Sequence, residues 1–170
     1  MKPDYKTLPS ICKRYVDHVR DQDMLESLDR SNSQMIALVR SIPEDKGEYR
    51  YAPGKWSIKE LLCHTMDAER IFAYRAMRFA RNDKTQLPGF EENDYAPEAN
   101  ANSRSLQQLT NEMERLRFST TDLFKSFSVE MLLRAGIANG MELSVLNLGY
   151  LISGHEIHHR IVLEERYLSS

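Results

Sequence analysis

Four stretches of about twenty residues each repeat apolar side chains at helical spacing, and every junction between them holds glycine or proline. The first, about Asp23 to Ile42, places Leu25, Leu28, Met35, Val39 and Ile42 on one face and stops at Pro43. The second starts at Ser57. There Ser57-Ile58-Lys59-Glu60 forms a capping box, in which the serine accepts from an orphan amide and the glutamate returns the bond. It runs through Phe72 and Ala76 to about Ala80. The third opens on a like box, Ser105 to Gln108, and carries Leu106, Leu109, Met113, Leu116, Leu123, Phe124 and Phe127. The fourth extends from about Ser144 to Tyr167, with Leu148, Ile152 and Val162 in one stripe. Strand-like alternation is weak throughout. Asn139-Gly140, between Leu133–Ala138 and Met141–Leu143, is the best hairpin signal and predicts a small hairpin before the last helix. Residues 1–21 read as an arm packing on the bundle and residues 22–170 as one domain, an all-α antiparallel four-helix bundle.

Composition narrows the class of function. With 23 Lys+Arg against 25 Asp+Glu, the formal charge is −2, which gives no general electrostatic reason to bind nucleic acid. The longest clearly apolar uncharged stretch, Leu143 to Gly154, is twelve residues, too short to span a bilayer. The N-terminus lacks the apolar region of a secretory signal, and Cys12 and Cys63 make no disulfide framework. A reducing cytoplasm is the expected home.

The histidines are the informative residues. In the last helix Leu148, Ile152, His155, His159 and Val162 follow at spacings of 4, 3, 4 and 3, so His155 and His159 point inward one turn apart. In the second helix Leu61, His64, Ala68 and Ile71 set His64 on an apolar face too. Three inward imidazoles from two helices can hold one cation and leave coordination positions open, as catalytic sites require. Spacing alone equally allows core histidines with satisfied hydrogen bonds. His158 lies one step around from the stripe, and His18 sits in the arm with nothing to converge on.

His155-Glu156-Ile157-His158-His159 also spells the H-E-x-x-H metalloprotease pattern. The extended pattern requires glycine and histidine at 162 and 165, where this chain has Val162 and Glu165. Only eleven residues follow His159, too few to return a glutamate ligand to the metal, so a protease is not expected. Glu156 is the candidate for proton transfer, or a polar residue bonding a neighbouring helix. Asp67, one turn beyond His64, would orient that imidazole or else pair with Arg70 or Arg75. Arg70, Arg75, Arg78, Arg81 and Lys84 form a basic edge, by default a solvated helix face, with the anionic end of a small substrate as the exception. Trp56, just before the Ser57 cap, reads as packing under the helix start and not as a substrate platform.

Tyr51 to Arg70, with its Lys55-Trp56-Ser57 and His64, strongly resembles the DinB superfamily of metal-binding four-helix bundles. So do Arg78-Phe79-Ala80-Arg81, Leu87-Pro88-Gly89-Phe90 and the Gly154-His155-Glu156-Ile157-His158-His159 ending. The resemblance spans about residues 22 to 168 and implies a long loop, Asn82 to Asn102, between the second and third helices. It implies nickel or zinc on His64, His155 and His159, the same three that spacing selects. It further implies a small-molecule substrate, a homodimer, and a thiol transferase or hydrolase that uses a metal-activated low-molecular-weight thiol or water. Phe90 and Tyr95 would then be contacts from the loop. A non-catalytic metal-binding or stress-associated interaction protein is the alternative.

Overall fold

The computed structural model describes residues 1–3, 5–6 and 8–169; Asp4, Thr7 and Ser170, at the ends of the expected arm and bundle, lie outside them. Seven α-helices and one hairpin follow in the order α1 (Ser10–Val16), α2 (Met24–Arg40), α3 (Ile58–Ala80), α4 (Glu92–Glu98), α5 (Leu106–Lys125), α6 (Val129–Leu133), β1 (Ala135–Ala138), β2 (Met141–Ser144) and α7 (Val145–Val162). Helices α2, α3, α5 and α7 make the bundle, in which α7 packs against both α2 and α3 and α5 closes the opposite side. No helix among the described residues is long and apolar enough to cross a membrane.

The caps act where the sequence places them. Ser57 Oγ accepts from the Glu60 amide while Glu60 accepts from the Ser57 amide, and Ser105 with Gln108 repeats the arrangement on α5. Ser144 ends β2 and caps α7 through the Asn147 amide. Asn82, with φ of 61°, takes the left-handed conformation that ends α3. Asn139 and Gly140, with φ of 50° and 70°, make the two-residue turn that fits the twist of the hairpin. Beyond α7 the chain winds on through a π-turn, Leu163–Tyr167.

The loop from Asn82 to Asn102 is more ordered than its composition suggests. It contains α4, capped by Glu91, and a 3₁₀ turn at Ala101–Ser103. It is pinned to the hairpin by Leu87 N to Ile137 O (2.9 Å) and Asn139 N to Leu87 O (3.0 Å). These paired backbone groups turn the loop into a wall.

Two apolar clusters fill the bundle. Leu28, Phe79, Phe124, Leu148 and Ile152 belong to one, and Met35, Leu61, Leu109, Met113 and Leu163 to the other. Between them runs a buried polar layer of Ser27, Ser31, Asn32, His64, Glu69, Arg117, His155 and Glu156. Buried polar groups require partners, so this layer is where function is to be sought.

Candidate metal centre

Helix α7 carries His155 and His159 one turn apart, and α3 brings His64 against them. His155 Nε2 lies 3.2 Å from His64 Nε2 and 3.1 Å from His159 Nε2. The three candidate ligand atoms all fall within 4.8 Å of one another. Nitrogens bound tetrahedrally at about 2.0–2.1 Å from zinc are separated by about 3.3 Å, so the observed spacing matches two ligands on one ion. Hydrogen bonding alone satisfies the group poorly. His155 Nε2 faces two neighbours with either one proton or one lone pair. A cation accepts all three lone pairs at once.

Protonation agrees with that. Burial pulls His64 down to about 4. Burial likewise lowers His155 and His159 well below the usual range, with the neighbouring imidazoles adding to the effect. All three are therefore neutral at pH 7, the form that binds metal. Among the described residues no other group of three or more His, Cys, Asp or Glu converges in this way, and no carboxylate or thiol joins the three histidines as a fourth ligand. His159 Nδ1 is buried with no hydrogen-bond partner.

Glu156 is carried elsewhere. One step around α7 from His155, its carboxylate accepts from Ser31 Oγ (2.6 Å), Asn32 Nδ2 (3.1 Å) and Arg117 Nη1 (2.9 Å). Arg117 also binds Glu69 through two bonds of 2.9 Å. Burial opposes the charge on Arg117, but the two carboxylates more than offset it and hold the guanidinium protonated. Glu156 thus ties α7 to α2 and α5. Asp67 does not reach His64 but pairs with Arg70 at 3.2 Å. Cys63 packs with its thiol pushed up to about 11 by burial, and His18 is exposed.

The histidines open into a cavity of roughly 320 Å³ with aromatic walls. Trp56, half-buried, sets its ring 4.7 Å from that of His64, tilted by 42°. The indole is therefore a wall of the site, which corrects the expectation that it only packs under the helix start. Tyr167 Oη donates to the backbone carbonyl of Trp56 at 2.8 Å and so ties the segment before α3 to Leu163–Tyr167. Trp56 and His159 also border a second cavity of roughly 280 Å³ lined by Tyr51 and Tyr167. Phe90 lies in the first wall, with the Tyr95 ring 5.5 Å from it, tilted by 51° and itself exposed.

The arm supplies what the sequence did not disclose. Tyr15 on α1 sets its ring 5.2 Å from His155 and 5.3 Å from His158, and Cys12 and Arg14 line the same cavity. Such close approach of α1 to α7 depends on Gly154, where a Cβ would stand 2.2 Å from the Tyr15 carbonyl oxygen. The pairing of a glycine with the histidine motif was the one available signal.

Known structures share this architecture. YfiT from Bacillus subtilis, described as a probable metal-dependent hydrolase with an unusual four-helix bundle topology, aligns with a TM-score of 0.72 at 14% identity, over 84% of this chain and 82% of its own. The DinB-like protein YjoA from Bacillus subtilis aligns at 0.61 and 19% identity, over 83% and 86%. A mycothiol-dependent maleylpyruvate isomerase aligns at 0.65 and 14% identity, over 85% of this chain and 61% of its own. Identities this low establish the common fold and not a common reaction. A comparison with curated proteins finds no match. The sequence pattern of the DinB superfamily, however, matches residues 27–163, and the chain belongs to that superfamily.

Proposed function

We propose that the protein is a divalent-metal-dependent enzyme that activates a low-molecular-weight thiol or water against an electrophilic small molecule, as a thiol S-transferase or a hydrolase. The observation that carries this reading is three neutral imidazole nitrogens converging at the wall of an open cavity with no fourth protein ligand. A closed tetrahedral set would favour a structural ion, whereas an open position suits catalysis. A zinc or nickel ion held there lowers the pKa of a coordinated thiol or water, so that the nucleophile is available near neutral pH.

The chain's own residues supply the remainder. His64, His155 and His159 hold the ion. Trp56, Phe72 and Tyr15 set their rings against them and make the walls of the site apolar, which strengthens electrostatic interactions beside them. Glu156 is a positioning residue. Its bonds to α2 and α5 fix the rotation of α7 and with it the direction of His155. The likeness in fold to a probable metal-dependent hydrolase and to a mycothiol-dependent isomerase is consistent with both versions of the reaction. In the same proposal the working unit is a homodimer, which light scattering at micromolar concentration reads directly.

The test uses zinc- or nickel-loaded protein, its metal content measured, with two assays. One follows consumption of a small thiol with an activated aryl halide, and the other follows hydrolysis of a p-nitrophenyl ester. Turnover in either, at least tenfold above His155→Ala, is expected. Samples holding one ion per chain that accelerate neither reaction would overturn the proposal.

A further inference from the structure

Two buried arginines show how differently the protein treats a guanidinium. Arg117 meets two carboxylates. Arg75, on α3, is only 5% exposed, yet among the described residues it meets none within ion-pairing distance. Its contacts are a single bond from Nη2 to the Pro88 carbonyl (2.8 Å) and a stack on the Phe72 ring at 6.0 Å. A guanidinium offers five donors, so four lack a protein acceptor among the described residues. Burial alone acts on its pKa and lowers it, with no acid raising it. Buried charges are ordinarily paired with an acid, and the unpartnered nitrogens of Arg75 are not sealed inside protein but border open space.

Arg75 lines the same cavity as the histidines. His64, Ala68, Phe72 and Arg75 follow each other along one face of α3, and all four border that space. Arg75 lies eleven helical steps beyond His64, about 16 Å of axial rise, of which the long arginine side chain takes back several. Between the two ends the walls are apolar, with Phe72, Leu143 and Leu151. Arg14 lies at the rim, bonded to the Tyr15 hydroxyl and, among the described residues, likewise without a carboxylate. Among those residues Glu92 is the single acid bordering the cavity, and it pairs with neither arginine.

We infer that Arg75 is the anchor of an anion subsite, which takes the carboxylate of an elongated substrate with an apolar middle while its reactive end lies at the histidines. The inference rests on the proposed reading of the cavity as a substrate site. The ligand spans on the order of 10 Å between its ends. A single planar fork with no second buried cation suits a carboxylate, which it binds through two parallel bonds, better than a dianionic phosphate.

The probe is octanoate against its neutral isostere octanamide, titrated calorimetrically into metal-loaded and metal-free protein. Octanoate is expected to bind the wild type at least tenfold more tightly than octanamide. In Arg75→Gln, which keeps a donor toward Pro88 and loses the charge, the preference is expected to fall within twofold while octanamide binding stays the same. Arg75→Lys keeps the charge without the fork and is expected to retain part of the preference. The melting temperature of Arg75→Gln should stay close to that of wild type, because the one protein hydrogen bond of Arg75, to the Pro88 carbonyl, is one that glutamine can keep. A preference that survives in Arg75→Gln would place the carboxylate on the metal and overturn the inference, as would equal affinity of the wild type for both probes. Metal content of the same samples separates this outcome from failure of the metalloenzyme reading. An Arg75-dependent preference in metal-free protein upholds the subsite alone.

Discussion

Replacing Arg117 with methionine should be among the most damaging single substitutions in the bundle. The side chains of Arg117, Glu69 and Glu156 are 3%, 6% and 1% exposed. The methionine fills much of the same volume but strands two carboxylates that had shared one guanidinium, and it removes the donor to the Leu28 carbonyl. Breaking a buried pair in this way costs about 3–5 kcal/mol. For a chain of this size each kcal/mol shifts the melting temperature by about 2–4 °C, so a fall of about 6–20 °C is expected at pH 7. Calorimetric melts of both proteins at pH 7 measure it. A fall of less than about 3 °C would refute the claim that this network joins α2, α5 and α7.

Three further outcomes follow from the same geometry. Metal-free protein should lose stability below pH 6.5, because His64 titrates near 4 when folded but near its ordinary value when unfolded. The unfolded chain then binds the extra proton, and about 3 kcal/mol from His64 alone is lost by pH 4; a melting temperature flat from pH 7 to 5 would contradict this. Gly154→Ala should destabilise by about 1–3 kcal/mol and loosen α1 from α7, seen as faster hydrogen exchange in Ser10–Val16, since its Cβ meets backbone and not a yielding side chain. Unchanged exchange would show that α1 docks without that close approach. Stoichiometric nickel should quench the fluorescence of Trp56, the single tryptophan, whose ring lies 4.7 Å from that of His64. Quenching that persists in His64→Ala/His155→Ala would place the ion elsewhere.

What the sequence disclosed was periodic or local. Helix starts at Ser57, Ser105 and Ser144 are each set by a side chain bonding three residues ahead, and the Asn139-Gly140 turn needs only its own two residues. The inward stripe of α7 placed His155 and His159 together, and the stripe of α3 added His64. Contacts between elements distant in sequence were not legible. Tyr15 meets His155 across 140 residues, and nothing periodic in a seven-residue helix announces that. The place of Trp56 before a cap suggests packing under the helix, whereas its ring lies against His64, a contact that position alone does not reveal. Glu156 fits a catalytic motif by spelling, but its neighbours on α2 and α5 decide its role, and Ser31, Asn32 and Arg117 carry no pattern that reveals them. Arg75 looked like one of several solvated cations on a basic edge. Only the Pro88 loop folding over α3 shows that it is buried.

The metal content of protein purified without a histidine tag tests the central claim most directly, measured by mass spectrometry beside a His155→Ala/His159→Ala variant. The geometry of His64, His155 and His159 predicts about one zinc or nickel per chain, lost in the variant, and a wild-type melting temperature that rises when metal is restored to stripped protein. Protein without bound metal, and with no stabilisation on adding zinc or nickel, would contradict it and leave the three histidines as core residues.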